Sequence, residues 1–246
     1  MGFLLFIRKF CILDIITVIG LLVAGYFIEY APLKSQNYPW TYSFMDQKEK
    51  LSIFSYGYLC IFTYGIGSAL ILLLTLIFQS YSCILKNITS YLFSISFSCF
   101  VTSIIKKIVQ RPMPDTEQIC TVASVDVCSF YLTGHDLIAQ FTSFPSRSAC
   151  EAAASGVFLT NALIDYWKSD SMFSALFKVI PIVWSLIVGA VEIVCRRAYP
   201  DDVLAGLLLG SLVAYFSYKN LKLQGILSPE RKEESQSSII PRYMYL

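Results

Sequence analysis

The stretch Val191 to Gly210 reads V-E-I-V-C-R-R-A-Y-P-D-D-V-L-A-G-L-L-L-G. A charged knot, Arg196 to Asp202, interrupts two apolar runs, and Asp202 opens a helix rich in leucine and small residues. Both runs are long enough to cross a membrane, so the knot lies at a bilayer surface. Two readings of Arg196, Arg197, Asp201 and Asp202 follow: they simply flank two spans, or they feed a buried polar cavity with a function.

Composition fixes the class. Of 246 residues, 56% are apolar and 15% charged, and the mean hydropathy is +0.61. That describes an all-α polytopic membrane protein rather than a soluble domain. A net charge of +2, with no basic patch interleaved with aromatics, excludes nucleic acid as a partner. The 16 Tyr and 18 Phe suit lipid-facing and interfacial positions. The eight cysteines include no C-x-x-C pair, so a structural zinc site is not expected, and no metal or cofactor is implied. Cys11, Cys60, Cys83, Cys99, Cys150 and Cys195 lie in or beside apolar runs and read as small hydrophobes. Cys120 and Cys128 share one polar loop and pair if that loop faces an oxidising compartment.

Outward from the knot, the chain reads as a six-transmembrane-helix bundle. The expected spans are Phe10 to Ile28, Ile53 to Phe78, about Tyr91 to Ile105, Ala149 to Ile164, Val179 to Val194 and Val203 to Tyr218. At 1.5 Å per residue the last three reach only ~25 Å, which suits a thin bilayer. The first run contains Asp14 and lacks a cleavage site, so it is expected to be retained rather than removed as a signal peptide. Ala31 to Lys50 is an interfacial segment, and Ile108 to Ser143 is the longest loop, of a length that is usually functional. The membrane domain is expected over 1–218, with 219–246 a disordered cytosolic tail.

Six spans place both termini on one side. The 19 Lys and Arg split almost evenly between the two faces, so the positive-inside rule barely decides orientation. Arg8 and Lys9 ahead of the first span favour cytosolic termini. The expected location is the endoplasmic reticulum or another endomembrane, with the plasma membrane as the other candidate. The sequon Asn87-Ile88-Thr89 is then cytosolic and should stay unglycosylated.

The knot also resembles a known signature. R-R-A-Y-P-D-D-V-L-A-G is similar to the end of the third motif of the type 2 phosphatidic acid phosphatase family, the membrane lipid phosphate phosphatases: S-R-x-x-x-x-x-H-x-x-x-D, often continuing V-L-A-G. Laid on this chain, the motif's Ser and Arg fall on Val191 and Glu192, its nucleophilic His on Ala198, and the Asp that orients it on Asp202. The first motif, with Lys and Arg for phosphate oxygens, resembles Lys106 to Asp115; Lys106 is retained and the phosphate-binding Arg falls on Met113, with Arg111 near by. The second, P-S-G-H, resembles Pro145-Ser146-Arg147-Ser148, where Arg147 replaces Gly and Ser148 replaces the general-acid His. Read without the family, the same four residues are a helix entry capped by Ser146 or Ser148. Three degraded motifs in the right order, at span ends on one face, carry the resemblance over about Tyr91 to Gly210.

The resemblance implies a metal-free reaction in which one His attacks phosphorus, an Asp holds it, cations balance the phosphate and a second His protonates the leaving alkoxide. Imidazole fills both roles because it titrates near neutral pH. This chain has one histidine. Loss of a nucleophile leaves at most a ~10³-fold residue of catalysis, and Met113 and Glu192 each forfeit roughly 1.5 to 3 kcal/mol of charge-assisted bonding. His135, in the long loop, is the one candidate substitute nucleophile. Lys106, Arg111, Ser146, Arg147 and Arg197 are the candidate phosphate or lipid ligands. Either they form an internal ion cluster with Glu192, Asp201 and Asp202, or they hold an anionic headgroup such as phosphatidic acid, whose binding should then vanish on Arg147→Glu. The expected function is a catalytically silent relative that binds or senses membrane lipid, or partners another membrane protein. The alternative is a diverged lipid phosphatase acting on phosphatidic acid or an isoprenoid diphosphate.

Overall fold

Apolar runs in a bilayer must satisfy their own backbone N–H and C=O groups, which leaves the helix as the natural solution. The computed structural model describes residues 12–33, 56–78, 84–120, 124–169 and 171–223. These form α1 (Ile12–Tyr30), α2 (Tyr56–Cys60), a π-helical segment (Ile61–Ile66), α3 (Gly67–Phe78), α4 (Ile84–Val109), three short helices α5 (Thr116–Cys120), α6 (Val125–Cys128) and α7 (Gly134–Gln140), then α8 (Arg147–Tyr166), α9 (Met172–Val194) and α10 (Pro200–Leu223). The Arg8–Lys9 pair, the Lys34–Lys50 part of the interfacial segment and the tail from 224 lie outside the described residues.

Among the described residues, five helical segments are long and apolar enough to cross a membrane: α1, the continuous Gly57–Phe78 segment, α4, α9 and α10. The expected fourth span, α8, is 20 residues long but carries Arg147, Glu151 and Asp165 and many small residues, and falls outside that set. It is the hub of the bundle. Its closest partner is α10, followed by α9 and α4, and it also touches the second span; α1 packs mainly on α4. Most of the α8 side chains from Ala149 to Ala162 are buried, so a helix wrapped by others has no need to be lipid-soluble on every face.

α8 and α10 meet through glycine. A Cβ on Gly206 would lie 2.4 Å from the Ser146 carbonyl oxygen, and one on Gly210 would lie 2.1 Å from that of Cys150. No side chain fits there, and small residues let membrane helices approach this closely. Farther along, Phe158 of α8 sits edge-on between Tyr91 of α4 and Tyr218 of α10, with ring centroids 5.5 and 5.2 Å apart. The Tyr91 hydroxyl donates to the Thr63 carbonyl at 2.6 Å, within the π-helical segment.

Several expected boundaries are corrected. α4 begins at Ile84, seven positions ahead of the expected start, because polar residues at its head are satisfied inside the bundle: Asn87 donates to Thr75 Oγ1 at 3.0 Å and to the Tyr166 hydroxyl at 2.9 Å. α9 begins at Met172 and runs through Pro181, with Ser171 Oγ accepting from Phe173 N. α10 continues to Leu223, beyond the expected end of the last span at Tyr218, because Lys222 pairs with Asp165 at 3.0 Å and Tyr218 donates to the same carboxylate at 2.8 Å. At 23 and 24 residues, α9 and α10 are about 35 Å long, which removes the argument for a thin bilayer.

Burial also changes what the sequon reports. Asn87 is 1% exposed and Thr89 4%, within α4. Asn87 is therefore expected to carry no glycan whichever side it occupies. Endoglycosidase treatment of the expressed protein should leave its gel mobility unchanged, and a mobility shift would contradict this packing.

Candidate functional site

At the end of the bundle where α4, α8, α9 and α10 start or stop, backbone geometry draws the three motif segments together. α4 stops at Gln110 in the left-handed conformation, φ 49°, with Gln110 N bonded to the Lys106 carbonyl at 2.9 Å. α9 ends in the same way at Arg196, φ 56°, one residue past Cys195. Such a residue is a common helix terminator, though it usually falls to Gly or Asn. Past each stop the chain is pinned to a neighbour. Ser143 N donates to the Arg111 carbonyl at 2.9 Å, Met113 N to that of Gln140 at 2.8 Å, and Ser146 N to that of Asp202 at 2.9 Å. Ser146 caps α8, its Oγ accepting from Ala149 N at 3.4 Å, so the helix-entry reading of Pro145-Ser146 also holds.

Asp202 is the anchor. Pro200 opens α10, and the Asp202 carboxylate reaches back to accept from Tyr199 N at 3.2 Å, one half of a capping box. It is fully buried and also accepts from the Ser143 hydroxyl and, at 2.6 Å, from Arg111 Nη1. Arg111 bonds Asp201 as well, at 2.5 Å, and its guanidinium lies 4.1 Å from the centre of the Tyr199 ring. Burial works against the Arg111 charge, but the hydrogen bond to Asp201 and the charges of Asp202 and Asp201 outweigh it and raise its pKa above the ordinary arginine value. Arg111 is thus committed to the two aspartates and is not among the residues lining the cavity beside them.

That cavity, of about 560 Å³, is lined by Lys106, Met113, Ser146, Arg147, Ser148, Glu192, Arg197 and Ala198, together with His135. Retained and substituted motif positions therefore surround one space. Ala198 is 3% exposed and packs on Ala149 and Val203, with no ionisable atom to offer. Ser148 and Met113 bring a hydroxyl and a thioether to the wall.

The cations in the wall are engaged. Arg147 donates to Glu29 of α1 through Nη1, and to Glu151 Oε1 through Nε at 2.8 Å; Glu151 is fully buried. Arg197 Nη1 lies 3.6 Å from Glu192 Oε1. The Lys106 ammonium donates to the Thr142 carbonyl. Three cations, Lys106, Arg147 and Arg197, thus stand against three carboxylates, Glu29, Glu151 and Glu192.

Sequence reasoning missed the α1 wall. Tyr26, Glu29 and Tyr30 line the cavity, yet the expected first span stops at Ile28, one residue short of the acid. The signal available was Glu29-Tyr30, a carboxylate and an aromatic closing a span. Lys107 Nζ reaches the Ala31 carbonyl and fastens this end of α1 to α4.

Over the cavity lies the long connection, which is folded rather than open. α5 and α6 are joined by the Cys120–Cys128 disulfide, with a Cα–Cα distance of 4.9 Å. Phe141 is buried with both cysteines beside Leu33, Ile119 and Leu137. Gln140 Nε2 donates to Asp115 Oδ1 at 2.6 Å and to Thr116 Oγ1 at 3.0 Å, closing the first motif against α7. α7 carries His135, exposed, with its ring centroid 5.2 Å from that of Tyr30.

No curated protein and no solved structure matches the chain. A family model, that of the PAP2 superfamily, matches residues 87–225, more than half of the chain. The match spans every motif position from Lys106 to Asp202 and leaves out only the α1 wall. Membrane-spanning helices, three motif segments tied around one cavity and this match together place the chain in the PAP2 superfamily.

Proposed function

We propose that this member of the superfamily is catalytically silent and holds a lipid headgroup without cleaving it. α8 serves as a sixth crossing among the five apolar spans, since 20 residues extend about 30 Å, the thickness of a hydrocarbon core. The reading further takes the termini as cytosolic and the cavity as facing a lumen or the cell exterior, where the Cys120–Cys128 bond persists.

The observation that carries the proposal is Ala198 together with an Asp202 already held by three donors. In the family's reaction the carboxylate orients the attacking imidazole; here Ser143, Tyr199 N and Arg111 occupy it and the neighbouring position offers a methyl group. Neither Ala198 nor Ser148 supplies a group that exchanges protons near neutral pH. The cavity keeps its volume and its charged walls while lacking the means to break a bond.

Detergent-purified full-length protein, incubated without added metal with phosphatidic acid or an isoprenoid diphosphate, is expected to release no inorganic phosphate above a protein-free control. Sustained release would overturn the reading. The second reading, a diverged phosphatase, draws on one observation: His135 lines the same cavity. Release that disappears in His135→Ala would establish it.

A further inference from the structure

The walls of the cavity differ in chemistry. Lys106, Arg147 and Arg197 come from α4, α8 and the turn after α9, whereas Glu29, Tyr26 and Tyr30 come from the end of α1, where Glu29 meets Arg147. The Tyr26 and Tyr30 rings lie 4.3 Å apart, and His135 extends the row from Tyr30 at 5.2 Å. An aromatic row beside a carboxylate attracts ammonium groups, because the ring faces are negative.

Charge decides which headgroup such a cavity accepts. Its three cations already face Glu29, Glu192 and the buried Glu151. A phosphate monoester, carrying close to two negative charges, would enter a wall whose positive charge is already matched, and burying unmatched charge is unfavourable. A ligand with one negative and one positive group changes nothing in the total. Its phosphodiester takes donors from Arg197, Arg147 and Lys106, and its ammonium takes over Glu29 and the tyrosines. The volume of about 560 Å³ is ample for a headgroup and its glycerol.

We infer that the cavity binds a zwitterionic phosphodiester headgroup, of the phosphocholine or phosphoethanolamine class, in preference to the phosphate monoester expected from the family motifs. The inference rests on the silent reading above, and its test separates the two. The full-length protein in a non-phospholipid detergent is titrated with dihexanoyl phosphatidylcholine, dihexanoyl phosphatidylethanolamine, dihexanoyl phosphatidic acid and water-soluble glycerophosphocholine, with binding read by tryptophan fluorescence or calorimetry. Hydrolysis of each lipid is followed in parallel.

At least tenfold tighter binding of the two zwitterionic lipids than of the phosphatidic acid is expected. Glu29→Gln, which adds one net positive charge to the cavity, should narrow or invert that ratio by tenfold or more, and Tyr26→Leu should weaken only the zwitterions. Glycerophosphocholine binding as tightly as the lipid would support the headgroup assignment and make a soluble metabolite the ligand; much weaker binding assigns the site to lipid. Phosphatidic acid binding as well as phosphatidylcholine, or a ratio unmoved by Glu29→Gln, would overturn the inference without bearing on silence. Hydrolysis of any of these lipids would instead overturn silence.

Discussion

Replacing Arg147 with methionine is expected to lower stability by about 3–5 kcal/mol, the usual result of removing one partner from a buried ion pair. Methionine keeps most of the apolar stem, so the loss falls on the charges. Arg147 Nε holds Glu151 at 2.8 Å, and Glu151 has no solvent exposure. Its Nη1 holds Glu29 and so ties α1 to α8 across the cavity. Without the guanidinium, a carboxylate in the centre of the bundle loses its counter-charge and α1 loses its ion pair to α8. Unfolding of the detergent-solubilised protein, followed by intrinsic fluorescence, measures the change. The double variant Arg147→Met/Glu151→Leu should recover most of it, since an apolar pair of similar volume can replace a buried ion pair with little cost or even a gain. A loss below about 1 kcal/mol in the single variant, of the size an exposed pair gives, would show that the pair is not functionally buried.

This changes how a test of headgroup binding at Arg147 is read. Phosphatidic acid binding lost on Arg147→Glu would follow from a third carboxylate beside Glu29 and Glu151, whether or not Arg147 ever touches lipid. Glu29→Gln is the cleaner probe, because Glu29 is partly exposed and its removal leaves Arg147 still bonded to Glu151.

How much of this was readable in sequence depends on how local the signal was. Lys106, Met113, Ser148, Glu192 and Ala198 could be aligned as motif positions, and they do line one cavity, because each sits at a fixed offset from a helix end. Arg111 reads from sequence as a candidate phosphate ligand, yet it is spent on Asp202, which it helps Ser143 and Tyr199 N to hold, through a contact that spans 91 positions of chain. The opposition of Glu29 to Arg147 spans 118 positions, and no periodicity reports such a pairing. Boundaries failed for a related reason. Asn87, Asp165 and Lys222 look like loop or tail residues by composition, and become helical because partners inside the bundle satisfy them. The connection over the cavity carries prolines and glycine and reads as a loop, whereas Gln140, Asp115 and the disulfide give it three short helices.

The glycines of α10 give a prediction in which two physical effects have opposite signs. By helix propensity alone, Gly210→Ala should stabilise by about 1 kcal/mol. By contact it should not, because the new Cβ would sit 2.1 Å from the Cys150 carbonyl oxygen and 3.0 Å from Ala154 N, both backbone atoms of α8 that no rotamer change can move. Overpacking of a tight contact costs about 1–3 kcal/mol, so the net expectation is a loss for alanine and a larger one for leucine. Gly20 of α1 is the control, since a Cβ there meets nothing within 4 Å, and Gly20→Ala should be neutral or stabilising in the same unfolding measurement. Gly206→Ala tests the functional end of the same contact. Its Cβ would lie 2.4 Å from the Ser146 carbonyl, and Ser146 N is itself bonded to the Asp202 carbonyl. Pushing α10 away at Gly206 therefore displaces the cavity wall as well as the helix, and should weaken headgroup binding as well as stability. At Gly210, one turn deeper, the same displacement should act on stability first. Equal, small effects at Gly20, Gly206 and Gly210 would mean that α8 and α10 do not meet as closely as the fold requires.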